Sequence, residues 1–146
     1  MTRPLRDVTI TIPGTPVPKG SMKCIGRGGR HQLVEDNPRT TPWRRRIASL
    51  VRSRVTSEAA PRQPLAVDLL FTVPRPKSVR AAHPVTRSAG DLDKLVRLAL
   101  DALQDTALLP DDAQVVELHA WKAYEAAGMG MPYPGLRVRL YDPEEP

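Results

Sequence analysis

The chain has 146 residues, one cysteine, and 22 Lys/Arg against 16 Asp/Glu, for a formal charge of +6. That length suits one domain with a real core over residues 1–146, and a lone cysteine excludes an internal disulfide framework. No apolar run approaches the ~18 residues of a membrane span. The opening MTRPLRDVTITIP has no signal-peptide pattern, so the expectation is a cytoplasmic protein without a membrane role.

The charge is unevenly spread. Residues 1–90 carry 17 Lys/Arg against 5 Asp/Glu, whereas residues 91–146 carry 5 against 11. A cationic half joined to an anionic half fits a phosphate-binding surface beside a cation site. Ordinary solvated charge would give the same balance.

In chain order, Val8–Ile12 alternates apolar and polar residues and predicts a strand stopped by Pro13-Gly14. The stretch GTPVPKGSMKCIGRGGRHQL has no helical period and predicts a basic loop with at most a short extended piece. Its glycines lack the spacing of a phosphate loop. Thr40 or Thr41 then caps a predicted helix with Pro42 at its first position, running until Ala59-Ala60-Pro61. Trp43, Ile47, Leu50, Val51 and Val55 form its apolar stripe. Arg44, Arg45, Arg46, Arg52 and Arg54 make either a solvated face or one that lies near nucleic acid.

Leu65–Val73 predicts a second strand, and Pro74–Ala89 a loop carrying Arg75, Lys77, Arg80 and Arg87. A helix follows from about Asp91 to Gln104, with Leu92, Leu95, Ala99 and Ala102 or Leu103 on one face. Val115–Ala123 and Leu136–Tyr141 predict two further strands. The order β, loop, α, β, α, β, β indicates an α+β, or mixed α/β, single domain.

The acidic residues carry the chemistry. Asp91 and Asp93 open the second helix, where free backbone N–H groups favour carboxylates, so helix capping accounts for one of them. Asp111-Asp112 is also good turn chemistry. Three or four aspartates are equally what Mg²⁺ or Mn²⁺ requires. A helix of fourteen residues rises roughly 21 Å, so Asp112 would have to approach the first pair from the start of the next strand. His31, His83 and His119 are scattered and make no metal-ligand pattern. Cys24 has no catalytic partner in the pattern.

GDLDKLVRLALDAL followed by LLPDDAQVVELHAWK resembles the motif region of the RusA-type Holliday-junction resolvases of phages and prophages. The matching block covers residues 90–122, and Gly14–Lys19 is similar to the family's opening G-x-P-x-x-K. The resemblance implies a homodimeric, Mg²⁺-dependent endodeoxyribonuclease acting in DNA recombination and repair, with Mn²⁺ as a possible substitute. It would resolve four-way junctions by paired, symmetric hydrolysis. The resemblance also implies that Asp91, Asp93 and Asp112 are catalytic metal ligands, with Arg97 at the position of the family's lysine. Arginine keeps the charge but cannot donate a proton near neutral pH, so its implied role is electrostatic. An Asp93–Arg97–Asp101 ladder is the structural alternative. Lys94 stands where the family has asparagine. Lys19, Lys23, Arg75, Lys77, Arg80, Arg87, Lys94 and Lys122 are the expected DNA contacts. A less selective branched-DNA or flap nuclease, and an inactive junction-binding protein, are the alternative functions.

Overall fold

The computed structural model describes residues 3–20, 22–26, 28–35 and 37–146, with positions 3, 22, 23 and 33–35 described as backbone alone. In chain order the elements are β1 (Arg3–Pro4), β2 (Asp7–Pro13), β3 (Met22–Ile25), β4 (Gln32–Glu35), α1 (Thr40–Arg54), β5 (Ser57–Glu58), β6 (Leu65–Val73), α2 (Leu92–Gln104), β7 (Val115–Tyr124) and β8 (Gly135–Tyr141). Short 3-10 turns at Arg87–Ala89 and Asp112–Gln114 precede α2 and β7.

The main sheet has the order β2-β8-β6-β7. β8 runs antiparallel to both β2 and β6, whereas β6 and β7 are parallel. β6 is apolar almost throughout because it is paired on both sides and buried on both faces, as expected of an interior strand. Val67, Leu69 and Phe71 of β6, Ile10 and Ile12 of β2, and Leu136, Val138 and Leu140 of β8 share one face. They form one continuous core with Trp43, Ile47 and Val51 of α1 and Leu95, Leu98, Ala99, Ala102 and Leu103 of α2. This is the expected α+β domain with a mixed sheet and two main helices.

Among the described residues no helix packs on the opposite sheet face, which is laced by its own polar pairs. Arg139 binds both carboxylate oxygens of Asp7 at 3.1 and 2.9 Å, the Tyr141 hydroxyl donates to Asp68 at 2.9 Å, and His119 bonds Glu117 at 2.7 Å. Leu70, Ala123 and Met131 make a small apolar cluster there.

Three local expectations are corrected. The basic stretch after β2 contains an antiparallel hairpin, β3 with β4. It turns at Gly26, where φ is +143° and any Cβ would collide with the Arg30 carbonyl. Helix α1 ends at Arg54, before Ala59, because Val55 is already extended and Ser57–Glu58 pairs in parallel with Arg3–Pro4. Among the described residues no side chain caps α1; Thr40 is inside the helix, and its buried hydroxyl finds no partner among them.

The arginines of α1 are largely committed to the fold. Arg44 makes a two-toothed ion pair with Asp105, and Arg52 donates to the Asp105 backbone carbonyl. Arg46 donates to the Pro13 carbonyl and Arg54 to that of Thr11. These four fasten α1 to the end of α2 and to β2, whereas the sequence allowed a free cationic face.

Candidate active site at the start of the second helix

The parallel pairing of β6 and β7 requires a crossover, and α2 lies within it. The chain therefore leaves the end of β6, returns along α2, and enters β7 beside the start of β6, where Leu65 is registered with Val115. The end of β7 comes back to the start of α2. Lys122, opposite Phe71 on the helix-covered face, donates to the Gly90 carbonyl at 2.8 Å.

Gly90 is buried with φ +85° and ψ 153°, a combination that disfavours side chains. A Cβ there would approach Pro18 at 3.1–3.3 Å. The loop after β2 is fastened to the same helix, since the Lys19 N–H donates to the Lys94 carbonyl at 3.0 Å and its ammonium to Asp101 at 2.9 Å. Asp91 follows from this frame as the N-cap residue of α2.

Asp91 does not cap the helix with its side chain. Its carboxylate is exposed and faces the Lys94 ammonium at 3.4 Å. Asp93, in the first turn, is also exposed. Arg97 is exposed one turn further on, and among the described residues no ion pair joins it to Asp93 or Asp101. Asp101 is instead committed to Lys19. This end of the molecule therefore brings together Asp91, Asp93, Lys94, Arg97 and Lys122, two available carboxylates among three cations.

Asp112 is not part of that group within one chain. It lies in the turn before β7, at the opposite end of α2. Thirteen helical residues span roughly 20 Å, and the seven steps from Val115 to Lys122 cover about 23 Å of strand. The expected approach of Asp112 to the first pair is thus corrected: the connection after α2 delivers the chain to the start of β7 and does not double back. Among the described residues no three His, Cys, Asp or Glu side chains converge as a metal site. The two neighbouring acids differ in their bonding. Asp111 accepts from the Ala113 N–H at 2.9 Å and shapes the turn, which leaves the exposed Asp112 carboxylate uncommitted.

The expected DNA contacts separate in the same way. Lys77, Arg80 and Arg87 are exposed on the segment leading to Asp91. Arg75 folds back on its own loop, donating to the Val79 and Ala81 carbonyls at 3.3 and 2.7 Å while its guanidinium covers the Tyr124 ring. Lys19 is spent on Asp101. The Lys23 side chain lies outside the described residues. Two residues not singled out from the sequence matter here. Gly90 sets the approach to Asp91, and a glycine directly before the acidic pair was its only signal. His83 lines a cavity beside Lys122, and nothing in its spacing marked it.

Among the described residues no helix is long and apolar enough to cross a membrane. Comparison with curated proteins finds no match. The family model described as Endodeoxyribonuclease RusA matches residues 13–131, from the end of β2 through both helices to the turn after β7. With most of the chain matched, including the acidic helix start, the Asp111-Asp112 turn and Lys122, this protein belongs to the RusA endodeoxyribonuclease family.

Proposed function

We propose that two copies of this chain bind a four-way DNA junction and hydrolyse one phosphodiester in each of two opposed strands. The observation that carries this reading is the pair Asp91 and Asp93. Both carboxylates are exposed at one helix end, uncommitted to capping, among Lys94, Arg97 and Lys122, in a chain of an endodeoxyribonuclease family.

Two short oxygen donors suit a hard divalent ion such as Mg²⁺, which retains waters and accepts substrate phosphate as further ligands. Among the described residues one chain supplies two carboxylates at this end, and its own Asp112 is roughly 20 Å away along α2. The third carboxylate in our reading is therefore Asp112 of the partner subunit, so that each site is completed across a homodimer. Bound there, Mg²⁺ or Mn²⁺ supplies an activated water and neutralises charge on the scissile phosphate.

The chain's own cations do the rest. Arg97 holds a phosphate oxygen and, being permanently charged, transfers no proton. Lys94 offsets repulsion between the carboxylates and the DNA. Lys122 holds the Gly90 carbonyl and so keeps Asp91 in place. Lys77, Arg80 and Arg87 meet backbone phosphates, which positions the strand without reading its sequence.

The test is cleavage of a synthetic four-way junction with and without Mg²⁺, beside flap and linear duplex controls. Paired nicks in the junction are expected only with Mg²⁺. Asp93→Asn should lower the rate by more than the roughly 10–100-fold typical of losing a supporting group at a metal site. Equal cutting of linear duplex would reject junction selectivity, and an undiminished rate in the variant would reject the site.

A further inference from the structure

Beyond the end of edge strand β7 lies a cavity of about 320 Å³. It is lined by Arg75, Arg80, Ala82 and His83 of the segment after β6, by Lys122 and Ala123 of β7, and by Ala127, Gly128 and Met129 of the following turn. Among the described residues its polar wall carries Arg75, Arg80, His83 and Lys122 and no carboxylate, so it favours an anion. Its remaining wall is apolar: three alanines and Met129, whose side chain is half exposed at 50%. Lys122 also binds the carbonyl of Gly90, the residue before Asp91, so the cavity adjoins the acidic end of α2.

We infer that this cavity seats one nucleotide of the bound strand next to the cleaved position, with its phosphate on Arg80 and its base against Met129. The inference rests on the nuclease reading above for the strand that enters, and on cavity chemistry for the fit. The volume is at the small end for ligand sites, which suits a single nucleotide unit and excludes a duplex. Arg75 is held by the Val79 and Ala81 carbonyls and supports the wall, whereas Arg80 is exposed on that same loop and reaches the ligand. An unstacked base needs an apolar surface, which a polarizable and adaptable methionine side chain offers. A nucleotide taken in beside the acids would separate the scissile bond from the paired duplex, and branch points are where unpaired nucleotides are cheapest to supply.

The experiment uses the whole chain with ¹³C-methyl methionine and follows the Met129 methyl signal by NMR. A 5′-phosphorylated thymidine dinucleotide and inorganic phosphate are titrated separately, with the buried Met131 methyl as the reference for an intact fold. The dinucleotide should shift Met129 in a saturable way and phosphate alone should not. Arg80→Ala should weaken the dinucleotide at least tenfold, and Arg80→Lys should restore part of it. On junction DNA, Arg80→Ala should raise KM with kcat little changed. An unmoved Met129 signal, an equal response to inorganic phosphate, an unaffected Arg80→Ala titration, or an unchanged KM each overturns the nucleotide pocket. Failure of the parent chain to cut any junction overturns the nuclease reading instead, and the titration still judges the cavity.

Discussion

At the scale of single residues, the acidic and basic side chains differ in whether the fold has already used them. Asp111 is consumed by its turn and Asp101 by Lys19, whereas Asp91, Asp93 and Asp112 remain exposed. Gly90 shows how narrow the tolerance is next to this site. In Gly90→Ala the positive φ and the approach to Pro18 should cost about 1–3 kcal/mol of stability, read as a lower urea midpoint, and junction cutting should fall as Asp91 shifts. A midpoint equal to the parent's would show that the backbone there relaxes freely. On the open sheet face, the hydrogen bond that His119 donates to the Glu117 carboxylate is the main cause that raises its pKa above the usual 6.5. A raised value means that protonation favours the folded state. This contribution is complete below 6.5 and fades as pH climbs through the folded-state value. An NMR titration should place the His119 midpoint above 6.5 and return it toward 6.5 in Glu117→Gln; a midpoint at or below 6.5 in the parent would contradict the pairing.

At the scale of elements, the arginine-rich helix α1 works as a fastener. Arg44 and Arg52 reach the end of α2, and the Arg44 hydrogen bonds hold the Asp105 carboxyl below its usual 3.8. The sign follows from the lowered value: the pair stabilises the fold above 3.8 and loses its effect as pH falls through the folded-state value. Both side chains are over a third exposed, so solvent limits the pair to about 1 kcal/mol or less. Asp105→Asn should therefore unfold at slightly lower urea at pH 7, with the difference from the parent shrinking as pH is taken down below 3.8. A difference that stays constant as pH falls below 3.8 until the fold is lost would mean that the effect is packing and not charge. This use of α1 leaves the segment between β6 and α2 as the main carrier of uncommitted cations near the acids.

At the scale of the whole molecule, the crossover separates the two acidic motifs to opposite ends of α2. A site containing all three aspartates can then arise only between chains, and that makes subunit mixing decisive. In the proposed homodimer, one Asp93→Asn chain paired with one Asp112→Asn chain would retain one site with every carboxylate, whereas a site within each chain would leave none. Two inactive variants, mixed under subunit exchange, should recover nicking of a single junction strand. No recovery, in a mixture proven by mass to contain mixed dimers, would remove the shared site.

Much of the architecture was legible because it depends on local pattern. Mostly apolar character over Leu65–Val73, alternation over Leu136–Tyr141 and the helical period after Asp91 each determine which face is buried, whatever the neighbours. The β3–β4 hairpin was not legible, since its glycine-rich, basic composition matches a loop and its pairing relies on the turn at Gly26. The end of α1 was missed because pairing of Ser57–Glu58 with Arg3–Pro4 overrides local helical preference. For the candidate site, the sequence by itself determined which acids are present, their spacing and their family. Only the tertiary structure decided that Asp91 and Asp93 share an end with Lys122 while Asp112 does not. The reason is that side-chain spacing along a chain carries no information on strand direction: the parallel pairing of β6 with β7 sends Asp112 to one end of the helix and Lys122 to the other.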